Sequence, residues 1–334
     1  VVFLTVCAIQ EEERDCMAGS ELRADIWISE YITPWDIYVH GVTRVLAYKK
    51  TDFQEMYVVE TGAYGKGLVL DGKWQSCTGD EFLYHEPLVH PAMIFQGEPK
   101  KVLVLGGGEG ATVREVLRWK SVEKVAMIDI DGEVVEACRQ HLPEMHQNAF
   151  DDPRTEVVIG DALHFLDTTD EQWDVVISDL SDPIESGPSF QLFTKEYFEK
   201  VQRVLSPTGF FVVQAGPVSP SEMKLHARIV RTLNSVFPNV KSYTSYIPTY
   251  GSPWGFALAS ASPINTRPEP VKIDEILAEH TTGGLRMFDG TTLLGILQVP
   301  AHLRRAIESE TQVYTMAEPP KFFGKGSVSK GENA

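Results

Sequence analysis

The sequence is short of cysteine, of cations and of long apolar runs, and each shortage removes a class of protein. Its four cysteines, Cys7, Cys16, Cys77 and Cys138, stand far apart and form no C-x-x-C pair. That excludes a disulfide framework and fits isolated reduced thiols in a cytoplasmic protein. Lysine and arginine number 30 against 47 acids, a formal net charge of −17. Such a surface repels nucleic acid and anionic membranes and suits cationic partners. The opening run VVFLTVCAIQ is too short to span a bilayer and is followed by EEERD, the wrong flank for a signal peptide. Met17 is the expected start, with residues 1–16 as an upstream extension. No other run reaches membrane length, and there is no internal repeat. His85, His90 and His141 lack ligand spacing with the cysteines or with each other, so no metal is expected.

What is present centres on residues 101–131, KVLVLGGGEGATVREVLRWKSVEKVAMIDID. Residues 101–105 are mostly branched and apolar, the mark of a strand buried on both faces of a parallel sheet. Gly106, Gly107, Gly108 and Gly110 follow, allowing a tight turn and close approach of backbone to a ligand, and residues 111–119 read as a helix. A second buried strand, residues 122–130, ends at Asp129 and Asp131, where an acid commonly grips a ribose hydroxyl pair. Gly106, Gly108 and Ala111 fit a nucleoside-binding loop that dehydrogenases and methyltransferases share. Glu109 narrows the choice, because a carboxylate inside the loop repels a pyrophosphate or an amino-acid carboxylate and attracts a cation. The expected ligand is a nucleoside with a positive tail.

Before this centre, short alternating segments at 43–48, 55–60 and 67–70 are separated by turn residues, predicting antiparallel hairpins too few to bury a core alone. Residues 80–95 look helical. After it come a helix at 132–142, strands at 155–159 and 173–178, a helix at 194–205, a strand at 210–214, a helix at 221–237 and a β-rich stretch at 241–260. The expected class is α/β, a doubly wound Rossmann-like sheet of the methyltransferase type preceded by a small antiparallel β domain. The expected division is an extension at 1–26, the small β domain at 27–85, the Rossmann-like domain at 86–263, and a C-terminal extension at 264–334 ending in a mobile tail, GKGSVSKGENA. Glu109, Asp129, Asp161 and Asp179 all fall at carboxyl ends of successive strands, where such sheets bind ligands.

The segment Asp179-Leu180-Ser181-Asp182-Pro183, with Gln191-Leu192-Phe193-Thr194, GGGEGATVREVLR, MIDIDGEVVEACR and DGKWQSCTGDEFLYHEPLVHPA, resembles the polyamine aminopropyltransferases, the spermidine synthase family. The motifs occur in family order across residues 27–262. The resemblance implies transfer of an aminopropyl group from decarboxylated S-adenosylmethionine, a co-substrate rather than a bound cofactor, to a cationic amine, with release of methylthioadenosine. It implies that Gln54, Glu109, Asp129 and Asp161 bind the donor, with Asp129 on the ribose, Asp161 on the adenine amine and Glu109 on the aminopropyl ammonium. It makes Asp179 the catalytic acid residue that accepts the acceptor's proton, and it lines the acceptor channel with Gln75, Tyr84, Asp182, Tyr250 and, more loosely, Trp27. A homodimer or homotetramer is expected.

An amine with a pKa near 10 and an ordinary aspartate near 4 make direct proton transfer uphill by about 6 units, roughly 8 kcal/mol. Burial of Asp179 and its apposition to Asp182 are expected to narrow that gap. Residues 184–190 are expected to form a lid. Leu180, QAGP at 214–217 and ETQVY at 310–314 are similar to the thermospermine synthase and agmatine-using branch, whereas Ile247-Pro248-Thr249-Tyr250 is similar to the spermidine synthase form. Putrescine is the favoured acceptor, with spermidine and agmatine as alternatives. A methyltransferase using intact S-adenosylmethionine, a nicotinamide dehydrogenase and a non-catalytic polyamine-binding subunit are the rival classes.

Overall fold

In the computed structural model the described residues are 24–183, 189–321 and 326–330. Residues 1–23, the body of the expected lid at 184–188, and the stretches 322–325 and 331–334 lie outside them.

The chain first forms an antiparallel meander, β1 (Ile26–Thr33), β2 (Asp36–Lys50), β3 (Glu55–Thr61), β4 (Gly65–Leu70) and β5 (Lys73–Cys77), and then α1 (Phe82–Gln96). The alternation that follows is β6 (Lys101–Gly106), α2 (Ala111–Leu117), β7 (Lys124–Asp129), α3 (Gly132–His141), α4 (Pro143–His146), β8 (Thr155–Ile159), α5 (Ala162–Thr168), β9 (Trp173–Asp179), α6 (Lys195–Val204), β10 (Leu205–Pro217) and α7 (Lys224–Asn234). An antiparallel pair, β11 (Asn239–Ile247) and β12 (Ser252–Ser260), closes the second sheet, and α8 (Pro270–His280), α9 (Gly290–Ile296), α10 (Ala301–Ser309) and β13 (Ser327–Lys330) complete the order.

The second sheet runs β11-β12-β10-β9-β6-β7-β8. The five strands from β10 to β8 are parallel, and the order reverses between β6 and β9, the place where a doubly wound sheet opens a crevice. The strand residues explain why it is covered on both faces. Val102 and Val104 belong to one core while Leu103 and Leu105 belong to the other, and Val125 and Met127 divide from Ala126 and Ile128 in the same way. Side chains alternate across a strand, so a strand that is apolar at every position feeds two cores at once.

Helix α1 carries Pro87 and Pro91 in its interior, which removes two helical N–H donors. The carbonyls left over are satisfied from β11. Ser245 Oγ donates to Leu83 O at 2.7 Å, and Tyr243 Oη donates to Pro87 O at 2.9 Å. These are the acceptors that Pro87 and Pro91 cannot serve, so the buried helix keeps its backbone polar groups paired. Glu86 on the same helix accepts from the backbone N–H groups of Arg286, Met287 and Phe288 at 2.7 to 2.8 Å, tying the C-terminal segment to the core.

The small sheet has the order β13-β1-β2-β3-β4-β5. Ser327–Lys330, expected to lie in a mobile tail, instead pairs antiparallel with β1, from Ile26 opposite Lys330 to Ser29 opposite Ser327. An unpaired edge on β1 offers N–H and C=O groups that the chain's own end satisfies. The small sheet shares its core with the larger one: Ile28, Val42, Val59, Val69 and Trp74 pack in the same cluster as α1 and β6. Trp35 is 92% exposed, and Ile37, Val39 and Tyr48 on β2 are exposed with it, a broad apolar face.

Candidate active site

Strand register sets the site. Gly106 at the end of β6 lies opposite Asp179 at the end of β9, and Asp129 at the end of β7 lies opposite Ile159 at the end of β8. Carboxylates from neighbouring strand tips are therefore carried to one rim. Gly106 and Gly107 take φ values of +83° and +77°, and a Cβ on Gly106 would meet the Asp179 carbonyl oxygen at 2.1 Å. A side chain there would displace Asp179 itself. Gly108 is held open for a different reason, since its Cβ would stand 2.8 Å from Asp129 Oδ2.

A cavity of about 260 Å³ opens over this rim. Gln54, Gly106, Gly108, Glu109, Asp129 and Asp161 line it together with Gln75, Tyr84, Asp179, Asp182 and Tyr250. Every site residue expected from the sequence except Trp27 thus meets in one hollow. Trp27, the looser candidate, is not among the lining; its ring lies against Gly41 on β2.

Asp179 receives a hydrogen bond from Tyr84 Oη at 2.8 Å and another from Thr112 Oγ1 at 2.6 Å. Burial and the nearby negative charge of Glu109 raise its pKa above the ordinary aspartate value. The apposed charge is Glu109, whereas Asp182 was expected to supply it. Asp182 has other company: Lys73 Nζ lies 4.0 Å from it, and Glu30 and Glu222 are close enough to act on it electrostatically. Burial chiefly pushes Asp182 up to about 6.

Glu109 is 8% exposed and is not a lone carboxylate. His85 Nε2 lies 3.1 Å from it, and His85 Nδ1 lies 2.8 Å from Glu81. The chain of charge continues away from the cavity, from Glu81 to Arg114 at 2.8 Å, Arg114 to Glu115 at 2.8 Å, and Glu115 to His90 at 3.1 Å. Burial alone would lower the His85 pKa, but its two carboxylate partners outweigh burial and lift it to about 10, so the ring is an imidazolium. Burial would likewise raise Glu109, and His85 reverses the sign and holds it below the ordinary value. The cavity therefore faces a carboxylate that stays ionised although buried. His85, with His90, enters the site through this ion-pair chain, and among the described residues no cluster has the make-up of a metal site.

Asp129 takes one bond from the Asp131 N–H at 2.9 Å. Burial first, then the charges of Asp131, Glu109 and Asp179, raise it to about 6. Asp131 turns away from the cavity, capping α3 and accepting from Thr51 Oγ1 at 2.7 Å and Gln54 Nε2 at 3.0 Å. Gln54 is thereby oriented by its amide nitrogen, leaving its amide oxygen as the remaining polar atom. Asp161 is exposed at the mouth and caps α5 through the Leu163 N–H at 2.8 Å.

At the other end, Tyr250 Oη donates to the Gln75 carbonyl, and Tyr84, Tyr250 and Trp254 form an aromatic wall with centroid spacings of 5.9 and 4.8 Å. The segment carrying Tyr250 is braced from β2 and from the turn before α1: His40 Nε2 lies 2.9 Å from Thr249 O, while Asp80 Oδ2 accepts from the Thr249 N–H at 2.8 Å. Sequence reasoning missed Glu30, Trp74, Gln214 and Trp254, which also line the cavity. Gln214 accepts from Trp254 Nε1 at 3.0 Å and donates to Leu180 O at 2.9 Å, fixing the segment after Asp179. The QAGP motif was the available signal for Gln214; nothing in the pattern of β1 singles out Glu30.

Comparison with known proteins gives one family. The profile described as the spermine/spermidine synthase domain matches residues 81–268, and the spermidine synthase tetramerisation domain matches residues 26–77. A polyamine aminopropyltransferase of Synechococcus sp. (strain JA-3-3Ab) is 62% identical over 302 residues, covering 88% of this chain and 97% of the relative. That of Sulfolobus acidocaldarius is 41% identical over 294 residues, again covering 88% of this chain and 97% of the relative. Among solved structures, a spermidine synthase in complex with the transition-state analogue AdoDATO superposes with a TM-score of 0.79 at 29% identity, covering 90% of this chain and 99% of that one. The spermidine synthase of Thermotoga maritima gives 0.77 at 29% identity, covering 89% of this chain and 98% of that one.

Proposed function

This chain belongs to the spermine/spermidine synthase family and is a polyamine aminopropyltransferase, and from that premise we propose that it carries the 3-aminopropyl group of decarboxylated S-adenosylmethionine to putrescine. The observation that carries the reading is one cavity lined by an ionised, buried Glu109 together with Asp129, Asp161, Asp179 and Asp182.

In this reading Asp129 accepts from the ribose hydroxyls, Asp161 and Gln54 hold the nucleoside, Gly106 and Gly108 let the backbone approach it, and Glu109 pairs with the donor's ammonium. A donor carboxylate at Glu109 would meet like charge, which favours the decarboxylated form. Gln75, Tyr84, Asp182 and Tyr250 position the acceptor. Asp179 takes the proton as the amine nitrogen attacks the carbon next to sulfur; the new C–N bond forms, the C–S bond breaks, and sulfur leaves with the electron pair as the thioether methylthioadenosine. The spermidine synthase form of Ile247-Pro248-Thr249-Tyr250 and the spermidine synthase structures among its neighbours support putrescine. The match to a tetramerisation domain supports self-association through the small sheet, and we take the assembly to be a homotetramer in the cytoplasm, where the buried, unpaired Cys77 and Cys138 stay reduced.

The test is incubation with the decarboxylated donor and a panel of putrescine, agmatine, cadaverine and spermidine, with products read by mass. Spermidine and methylthioadenosine are the expected products. A methylated amine made from intact S-adenosylmethionine would overturn the reaction class, and a larger yield from agmatine or spermidine would overturn the acceptor alone.

A pH dependence follows from Asp129. With its pKa raised to about 6, it is protonated below that pH and then lacks the charge that accepts from two hydroxyls. Methylthioadenosine has the ribose but no cation, so its binding isolates this group. Its Kd is expected to be flat above pH 7 and to rise about tenfold per pH unit well below 6. Calorimetry across this range checks it, and Asp129→Asn should remove the slope.

A further inference from the structure

The acceptor end of the cavity contains a cation of the protein's own. Lys73, on β5, is 4% exposed and stands just behind the lining, with Nζ 3.0 Å from Glu30 Oε1 and 4.0 Å from Asp182 Oδ2. Glu30 and Asp182 both line the cavity, and Glu30 also accepts from the Trp74 N–H at 3.3 Å. Glu222 completes the group; its carboxylate accepts from Ser219 Oγ at 2.5 Å and acts electrostatically on Lys73. Two lining carboxylates, Glu30 and Asp182, thus face one ammonium, and Glu222 acts on it from outside the lining. A buried lysine is costly unless its charge is used, and here burial would lower its pKa but Glu30 and Asp182 more than reverse this, so the ammonium persists.

We propose that Lys73 is a positioning residue that sets acceptor selectivity by charge: it consumes Glu30 and leaves the acceptor end balanced for an amine with one distal cation rather than two. The inference rests on the reading of this end as the acceptor side. A diamine whose reacting nitrogen faces Asp179 brings one remaining ammonium, which Asp182, the one lining carboxylate that Lys73 leaves over, neutralises. A triamine brings a second, which must compete with Lys73 for Glu30. Removing the resident charge frees Glu30, which lines the same cavity, for it.

The experiment is steady-state kinetics at saturating donor with putrescine and spermidine, on the wild type, Lys73→Met, Lys73→Arg and the double variant Glu30→Gln/Lys73→Met. Lys73→Met is expected to raise the spermidine-to-putrescine ratio of kcat/KM by about tenfold or more, through the acceptor KM rather than kcat. Lys73→Arg should keep the wild-type ratio, and the double variant should return towards it because both charges are gone. An unchanged ratio in Lys73→Met with both acceptors impaired alike would show a merely structural lysine and overturn the proposal. A double variant that behaves like Lys73→Met would show a steric effect and overturn it too. If Lys73→Met does not fold, Glu30→Gln alone probes the same balance from the other side, with the ratio expected to fall. The wild-type panel separately tests which acceptor is used, so a wild type that prefers spermidine refutes putrescine while the change on substitution still decides the role of Lys73.

Discussion

Asp179→Asn is expected to lower kcat at saturating donor and putrescine by about 10²- to 10⁴-fold, the range of a positioned proton acceptor. The substitution keeps size and shape. Tyr84 and Thr112 contact Asp179 through hydroxyls, which can accept as well as donate, so both contacts survive with an amide in place of one oxygen. What is lost is the charge. The acceptor arrives as an ammonium, and its lone pair is available for attack only when a proton has left. An ordinary aspartate faces a gap of roughly 8 kcal/mol in taking that proton. Burial and Glu109 narrow the gap by raising Asp179, and in the proposed mechanism the carboxylate then passes the proton on to water. The expected signature is a fall in kcat with acceptor KM changed far less and with thermal stability near that of the wild type. A variant that turned over at the wild-type rate would remove Asp179 from the chemistry.

The second large effect is expected at Glu109. Glu109→Gln removes the charge proposed to face the donor's ammonium and leaves His85 with one carboxylate partner in place of two. We expect the KM for the decarboxylated donor to rise about 100-fold, since a charge-assisted bond in a buried site is worth roughly 3 kcal/mol. The discrimination against intact S-adenosylmethionine should shrink at the same time, because its carboxylate no longer meets like charge. Competitive inhibition by intact S-adenosylmethionine, measured in both proteins, checks this; undiminished discrimination would place the selectivity elsewhere. Stability should fall as well. The His85 pKa is raised from 6.5 to about 10, so the wild type's advantage from this pair is full near and below pH 6.5 and is lost as the pH rises through about 10. Melting curves of the two proteins should therefore converge at high pH.

Much of this site was legible in the chain. The glycine loop, the strand-tip acids and the alternation of buried strands with helices are local signals, each readable within about ten residues because strand and helix periods are short. Asp129 and Asp179 could be assigned to the carboxyl ends of strands from their neighbours alone. The partners of those acids were not legible. His85 carries no mark that distinguishes an imidazolium held between Glu81 and Glu109 from a packed neutral ring, and Glu30 is a lone acid on β1 outside any site motif. Ser327–Lys330 read as tail because its composition is polar, yet an open edge on β1 was waiting for it.

From residue order alone come the acids at successive strand ends, because backbone geometry dictates where a strand delivers its last side chain, and the reaction class came through the family resemblance of the motifs around them. The folded chain alone decided which of those acids stay charged. Pairings such as Lys73 with Glu30, His85 with Glu109 and Ser245 with Leu83 join residues far apart in sequence. Each exists because burial leaves a polar group no water to bond, so the nearest complementary group across the core must serve, and no local pattern specifies which one that is.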